Sequence, residues 1–126
     1  MPADTAMKIL VVDDFATMRR ILRNNLQAMG FTNVHEANDG FTALERLRQE
    51  PFDLVLSDWN MPTMTGLELL KKVRADPSLR RLPFIMITAE GQEHNIISAI
   101  QEKVSQYVVK PFTPEILADK IRSVFP

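Results

Sequence analysis

Residues Lys8 to Leu22 read KILVVDDFATMRRIL. A short apolar run meets two adjacent carboxylates, Asp13 and Asp14, and then gives way to apolar positions spaced three and four apart. That is the signature of a buried strand ending on a charged rim and turning into an amphipathic helix. The pattern recurs along the chain. NVHEA (33–37), DLVLS (53–57), PFIMIT (83–88) and QYVV (106–109) are further short apolar runs, each followed by a segment with helical spacing.

In the first helical segment Met18, Ile21, Leu22, Leu26 and Met29 fall on one face, and Gly30 stands where a left-handed C-terminal cap belongs. In the last, Thr113 suits the N-cap and Pro114 the first helical position, with Ile116, Leu117, Ile121 and Val124 as the buried stripe. Phe41, Leu44 and Leu47, then Leu67, Leu70 and Val73, then Ile96, Ile97 and Ile100, mark three helices between them. Five strands alternating with five helices predict right-handed crossovers and a parallel sheet covered on both faces. KILVV, DLVLS and PFIMIT are almost continuously apolar, as central strands require, whereas NVHEA and QYVV carry polar interruptions and read as edges.

The chain has 126 residues, 45% of them hydrophobic and 25% charged, which suits one domain with a real core. No repeat or low-complexity tract divides it, so a single domain over 1–126 is expected, with 1–7 as a disordered extension. Cysteine is absent, excluding disulfides and thiolate metal sites. The apolar runs are too short to span a bilayer and no signal-peptide segment precedes Met7, so a cytoplasmic protein is expected. The formal charge of -1, from 15 basic and 16 acidic residues, offers no footprint for nucleic acid or a membrane surface.

In an open parallel sheet the C-terminal strand ends share one rim, and ligands bind there where strand order reverses. Asp13 and Asp14 end the first strand, Asp58 the third, Thr88 the fourth and Lys110 the fifth. Each has a bland reading on its own: helix cap, local hydrogen bond or solvated cation. Three acids on one rim are harder to dismiss. At roughly 4 Å and an effective dielectric near 20, each like-charge pair repels by about 4 kcal/mol, a large share of a net stability of about 5–15 kcal/mol. A cation relieves it. An all-oxygen donor set with room for water and phosphate fits Mg²⁺, with Mn²⁺ as a substitute, better than Zn²⁺. A carboxylate beside such an ion can accept a phosphoryl group if fixed donors neutralise the transferring oxygens, and Thr88 and Lys110 are of the right chemical types.

VVDDFATMRRIL, SDWNMPTMTGLELLKKVRAD, MITAEG and YVVKPFTPE together resemble the receiver domains of bacterial two-component response regulators, most closely the stand-alone chemotaxis regulators. The resemblance runs from about Lys8 to Phe125. It implies a (βα)5 flavodoxin-like three-layer sandwich, α/β in class, with sheet order 2-1-3-4-5. That order is a documented property of such domains, and it agrees with the edges read above. It implies Asp58 as phosphoacceptor, with Asp13, Asp14, Asp58 and the Asn60 backbone carbonyl holding Mg²⁺. Lys110 would pair with the phosphoryl group, and its bond to Pro111 would be cis, a form accessible essentially only before proline. Thr88 would move onto the phosphoryl oxygens and Tyr107 would turn inward after it, while Asn60 and Glu90 would tune phosphoryl loss to water. The implied partners are a histidine kinase as phosphodonor, a flagellar motor switch protein as target and a phosphatase, around a monomer that is a signalling switch and not an enzyme on outside substrates.

Other conspicuous residues have ordinary readings. Trp59 suits a ring lying over a loop, and His35 and His94 lack spaced partners. Arg19–Arg20, Lys71–Lys72 and Arg80–Arg81 read as solvated faces, and the methionines of NMPTM (60–64) as loop packing. Where the related domains have small-Gly-small before the fifth strand, this chain has Lys103-Val104-Ser105-Gln106. A non-glycine left-handed cap costs about 1–2 kcal/mol, so the turn is expected to differ in shape.

Two rivals are weaker. A flavodoxin-type flavin binder needs a hydroxyl- and glycine-rich phosphate cradle after the first strand, where DDFATMRR puts acids. A haloacid-dehalogenase-type phosphatase needs its two acids two residues apart on one strand face, which adjacent Asp13 and Asp14 cannot supply.

Overall fold

The computed structural model describes residues 5–89 and 93–125. Five strands, β1 (Ile9–Val12), β2 (Val34–Ala37), β3 (Leu54–Asp58), β4 (Phe84–Ala89) and β5 (Gln106–Lys110), alternate with five helices. These are α1 (Ala16–Ala28), α2 (Gly40–Gln49), α3 (Gly66–Ala75), α4 (Glu93–Gln101) and α5 (Pro114–Val124). Every strand pair is parallel, and the order is β2-β1-β3-β4-β5. β1 and β3 are buried at every position and β4 at all but its last, while β2 is buried only at its two ends and β5 only at Val108, as strands at the sheet edges are.

Strand period two divides the core into layers. Ile9, Val11, Leu54, Leu56, Ile85, Ile87 and Val108 meet Leu22 and Leu26 of α1 and Leu117 and Ile121 of α5. On the other face Leu10, Val12, Val55, Phe84 and Met86 meet Ala43, Leu44 and Leu47 of α2, Leu69, Leu70 and Val73 of α3 and Ala99 of α4. Met7, inside the stretch expected to be a disordered extension, is buried in the α1–α5 layer.

Several helix residues face solvent against expectation: Ile21, Phe41, Ile97, Ile100 and Ile116 are all exposed. A helix lying on a sheet buries only one stripe of its surface, and α4 turns Asn95 and Ala99 inward and leaves Ile97 and Ile100 outside. Trp59 is buried with the α2–α3 layer, not spread over a loop. Met61 and Met64 do pack as loop filler in that layer.

Helix ends are closed as the residue types demand. Asp39 accepts from the Thr42 N–H, Thr65 and Glu68 form a reciprocal capping box, and Thr113 accepts from the Ile116 N–H with Pro114 opening α5. At the end of α1 the Gly30 N–H reaches the Gln27 carbonyl and the Phe31 N–H reaches Leu26, with Gly30 at φ 101°. The end of α4 repeats this closure: Lys103 N–H to Ile100, Val104 N–H to Ala99. Lys103 sits at φ 64°, so the turn keeps the left-handed shape despite lacking glycine. Backbone bonds hold it there, helped by Arg74, whose Nε donates to the Lys103 carbonyl at 3.0 Å. Lys103→Gly is therefore expected to raise stability by about 0.5–1 kcal/mol, the left-handed strain being removed and part of the gain lost to a freer unfolded chain. A urea titration checks this through a higher midpoint with an unchanged slope.

Candidate functional site

Strand parity decides which side chains meet above the rim. Asp13 continues the Ile9–Val11 face of β1, Asp58 the Leu54–Leu56 face of β3, and Lys110 the Val108 face of β5, so all three crown the α1–α5 layer. Thr88 continues Phe84 and Met86 on the opposite face of β4. Tyr107 lies on that face too, paired with Met86 one strand position pair below.

One carboxylate oxygen each from Asp13, Asp14 and Asp58 lies within 4.8 Å of the others. Asp13 is fully buried, Asp58 nearly so, and Asp14 half-buried. Lys110 Nζ donates to Asp58 Oδ1 at 2.8 Å, and the Lys110–Pro111 peptide bond is cis. The Thr88 hydroxyl is buried and, like Asp13 Oδ2 and Asp14 Oδ1, has no hydrogen-bond partner among the described residues. Burial pushes the Asp13 carboxyl up to about 6. The Phe15 N–H bond pulls it down, the Asp58 charge pushes it up, and Lys110 and Asp14 add smaller opposing effects.

The N-terminus of α3 is drawn tightly onto the site. The Gly66 N–H donates to the Trp59 carbonyl at 2.8 Å, and a Cβ at Gly66 would stand 2.3 Å from the Asp58 carbonyl oxygen. No side chain fits between them, which explains glycine at this position. The loop on the way there passes through Thr63, a second non-glycine residue with positive φ, at 65°.

The donor set fits a small hard cation. All its atoms are oxygens, two are buried without partners, and burial disfavours the negative charge that an ion would neutralise. The three oxygens lie within 4.8 Å of one another, near enough for one small ion to draw on all of them.

Arg19 departs from its reading as a solvated face. Its Nη1 donates to the Asp13 carbonyl at 2.7 Å and its Nε to Glu36 Oε1 at 3.0 Å. Periodicity could not reveal this, because the two acceptors lie in separate segments, one just past the end of β1 and the other on β2. His35 also has partners: its Nε2 lies 2.7 Å from Asn33 Oδ1 and its ring packs edge-on against Phe52. Tyr107 is half-buried with Lys120 Nζ 4.7 Å above its ring. Glu90 lies outside the described residues.

A parallel 2-1-3-4-5 sheet with an acidic trio, a buried threonine and a lysine on its C-terminal rim defines a class, and sequence comparison agrees. The response regulator receiver domain matches residues 9–122, and the chain belongs to that family. Among its relatives, the chemotaxis protein CheY of Pseudomonas aeruginosa is 56% identical over 119 residues, covering 94% of this chain and 96% of the relative. CheY-3 of Vibrio cholerae is 54% identical over 119 residues, covering 94% and 92%. Among solved structures, Vibrio cholerae CheY4 superposes with a TM-score of 0.86 at 34% identity, covering 94% of this chain and 98% of that one. A putative response regulator from Chloroflexus aurantiacus gives 0.89 at 29% identity, covering 96% and 99%. No helix among the described residues is long and apolar enough to cross a membrane.

Proposed function

We propose that this receiver is a chemotaxis switch that takes a phosphoryl group from a histidine kinase onto Asp58 and, in that state, binds the flagellar motor switch. The observation that carries the reading is the cluster of Asp13, Asp14 and Asp58 oxygens within 4.8 Å, with Lys110 Nζ 2.8 Å from the acceptor. The kinship with chemotaxis proteins supports the pathway.

In the transfer, the P–N bond of the donor phosphohistidine breaks and a P–O bond forms to an Asp58 carboxylate oxygen. The imidazole leaves with the electron pair and takes up a proton. Asp13, Asp14, Asp58 and the Asn60 carbonyl would hold Mg²⁺, which when bound neutralises charge on the phosphoryl oxygens. Lys110 follows the new charge from carboxylate to phosphoryl oxygen. Thr88 has a hydroxyl with no competing partner among the described residues, so it is free to donate to another. The phosphoryl group adds about -1.5 to -2 charge and three acceptor oxygens.

A shift of Thr88 changes the face of β4 that Tyr107 shares, and through it the surface of α4, β5 and α5. Moving that equilibrium from about 1:99 to 99:1 takes roughly 5.5 kcal/mol of preference for the active arrangement. Reversal is hydrolysis: water attacks phosphorus, the P–O bond to Asp58 breaks, and inorganic phosphate leaves. Asn60 and Glu90 tune its rate, and a phosphatase accelerates it.

The test uses Trp59, adjacent to Asp58 in sequence. Mg²⁺ with beryllofluoride, a phosphoryl mimic, is expected to shift or quench its fluorescence in the wild type. An emission spectrum insensitive to both additions together counts against the acceptor site.

A further inference from the structure

We propose that Arg19 is the positioning residue of the acidic hollow: its guanidinium ties the Asp13 carbonyl to Glu36 and so aims the remaining Asp13 oxygen at the cation. The inference rests on the Mg²⁺ reading above and adds a residue outside the ligand set.

The hydrogen bonds of Asp13 can be accounted for one by one. Its N–H donates to the Ala37 carbonyl at 3.2 Å, extending the β1–β2 ladder by one residue. Its Oδ1 accepts from the Phe15 N–H at 2.9 Å, at the start of α1. Its carbonyl accepts from Arg19 Nη1 at 2.7 Å. Only Oδ2 has no partner among the described residues. β1 ends at Val12, so no sheet ladder orients the peptide between Asp13 and Asp14. The group that takes the Asp13 carbonyl sets that orientation, and with it the direction of both carboxylates.

Arg19 is itself held. Its Nε donates to Glu36 Oε1 at 3.0 Å, while Arg23 Nη1 takes Glu36 Oε2 at 2.5 Å. Burial would raise the Glu36 carboxyl, but hydrogen bonds from Arg23 and Arg19 carry it below its ordinary range, so it stays ionised. Glu36 pairs with Val11 in the sheet, which makes it a fixed anchor on β2. One planar fork thus bridges a carbonyl beyond β1 and a carboxylate on β2, a geometry that a lysine ammonium does not reproduce.

Arg23 supplies the control. It lies one turn later on α1, carries the same charge, shares Glu36, and also donates to a carbonyl, that of Val34 at 2.9 Å. It does not touch Asp13 in any described bond.

The experiment is calorimetric titration with Mg²⁺ alone at fixed ionic strength. Arg19→Met is expected to bind about tenfold more weakly than wild type, the size typical of losing an outer-shell support. Arg23→Met is expected to stay within about twofold, since it removes equal charge without freeing the Asp13 carbonyl. Where Arg19→Met does not fold, Arg19→Lys serves, keeping charge and alkyl stem. It is expected to bind at least about threefold more weakly. Equal losses in the two methionine variants, or wild-type affinity in either Arg19 variant, overturn the proposal while leaving the metal reading intact. A wild type that takes up no Mg²⁺ overturns both.

Discussion

Asp58→Asn is expected to abolish phosphoryl uptake. With Mg²⁺ and acetyl phosphate, the wild type should gain the mass of one phosphoryl group on acid quench, and the variant should gain at least about a hundredfold less, as losing a nucleophile requires. The substitution is close to isosteric and leaves an amide oxygen for Lys110, whose bond to Asp58 Oδ1 is the main contact at risk, so folding should survive. What disappears is the nucleophilic carboxylate. Asp13 and Asp14 are not substitutes, because Asp13 Oδ1 is already committed to the Phe15 N–H and both are assigned to the cation. Undiminished uptake in the variant places the acceptor elsewhere and overturns the role given to Asp58.

Asp13→Asn is expected to act in opposite directions on stability and on metal binding. In the metal-free protein the Asp13 carboxyl is raised from 3.8 to about 6, chiefly by burial. Between those two values the unfolded chain binds fewer protons than the folded one, so this group lowers stability as pH rises from about 4 to about 6, and the loss stays constant above that. Asparagine removes the penalty. At pH 7 and without metal the variant should be more stable by about 1–3 kcal/mol, and near pH 4 the two proteins should unfold together. Mg²⁺ affinity should fall by more than the 10–100-fold usual for an outer-shell change. Urea unfolding in chelator at both pH values, followed by Mg²⁺ titration, reads both effects. A variant less stable than wild type at pH 7 contradicts the account of the acidic hollow as a strained site relieved by a cation.

Much of this architecture was legible along the chain because strand and helix periods are local properties. Alternating apolar runs located all five strands, and run composition separated β2 and β5 from the three central strands. Capping chemistry marked Gly30, Thr113 and Pro114. The helix faces were less legible. Ile97 and Ile100 satisfy helical spacing as well as Ala99 does, and only the docked position of α4 on the sheet selects Asn95 and Ala99 for burial. The same holds for Phe41 in α2 and Ile116 in α5. Lys103 was misread for a different reason: residue preference argued against a left-handed turn, and the hydrogen bonds that enforce one come from the preceding helix and from Arg74.

The chain alone determined which residues end the strands, since side-chain type and a period of two are written in the order of residues. From this came Asp13, Asp14, Asp58, Thr88 and Lys110 as candidates for one rim. Only the folded arrangement decided that three carboxylates stand within 4.8 Å, that Lys110 already holds Asp58, and that Arg19 joins the Asp13 carbonyl, just past β1, to Glu36 on β2. Those are contacts between segments remote in sequence, whose distances are set by strand order and sheet register, and neither is a property of any single segment.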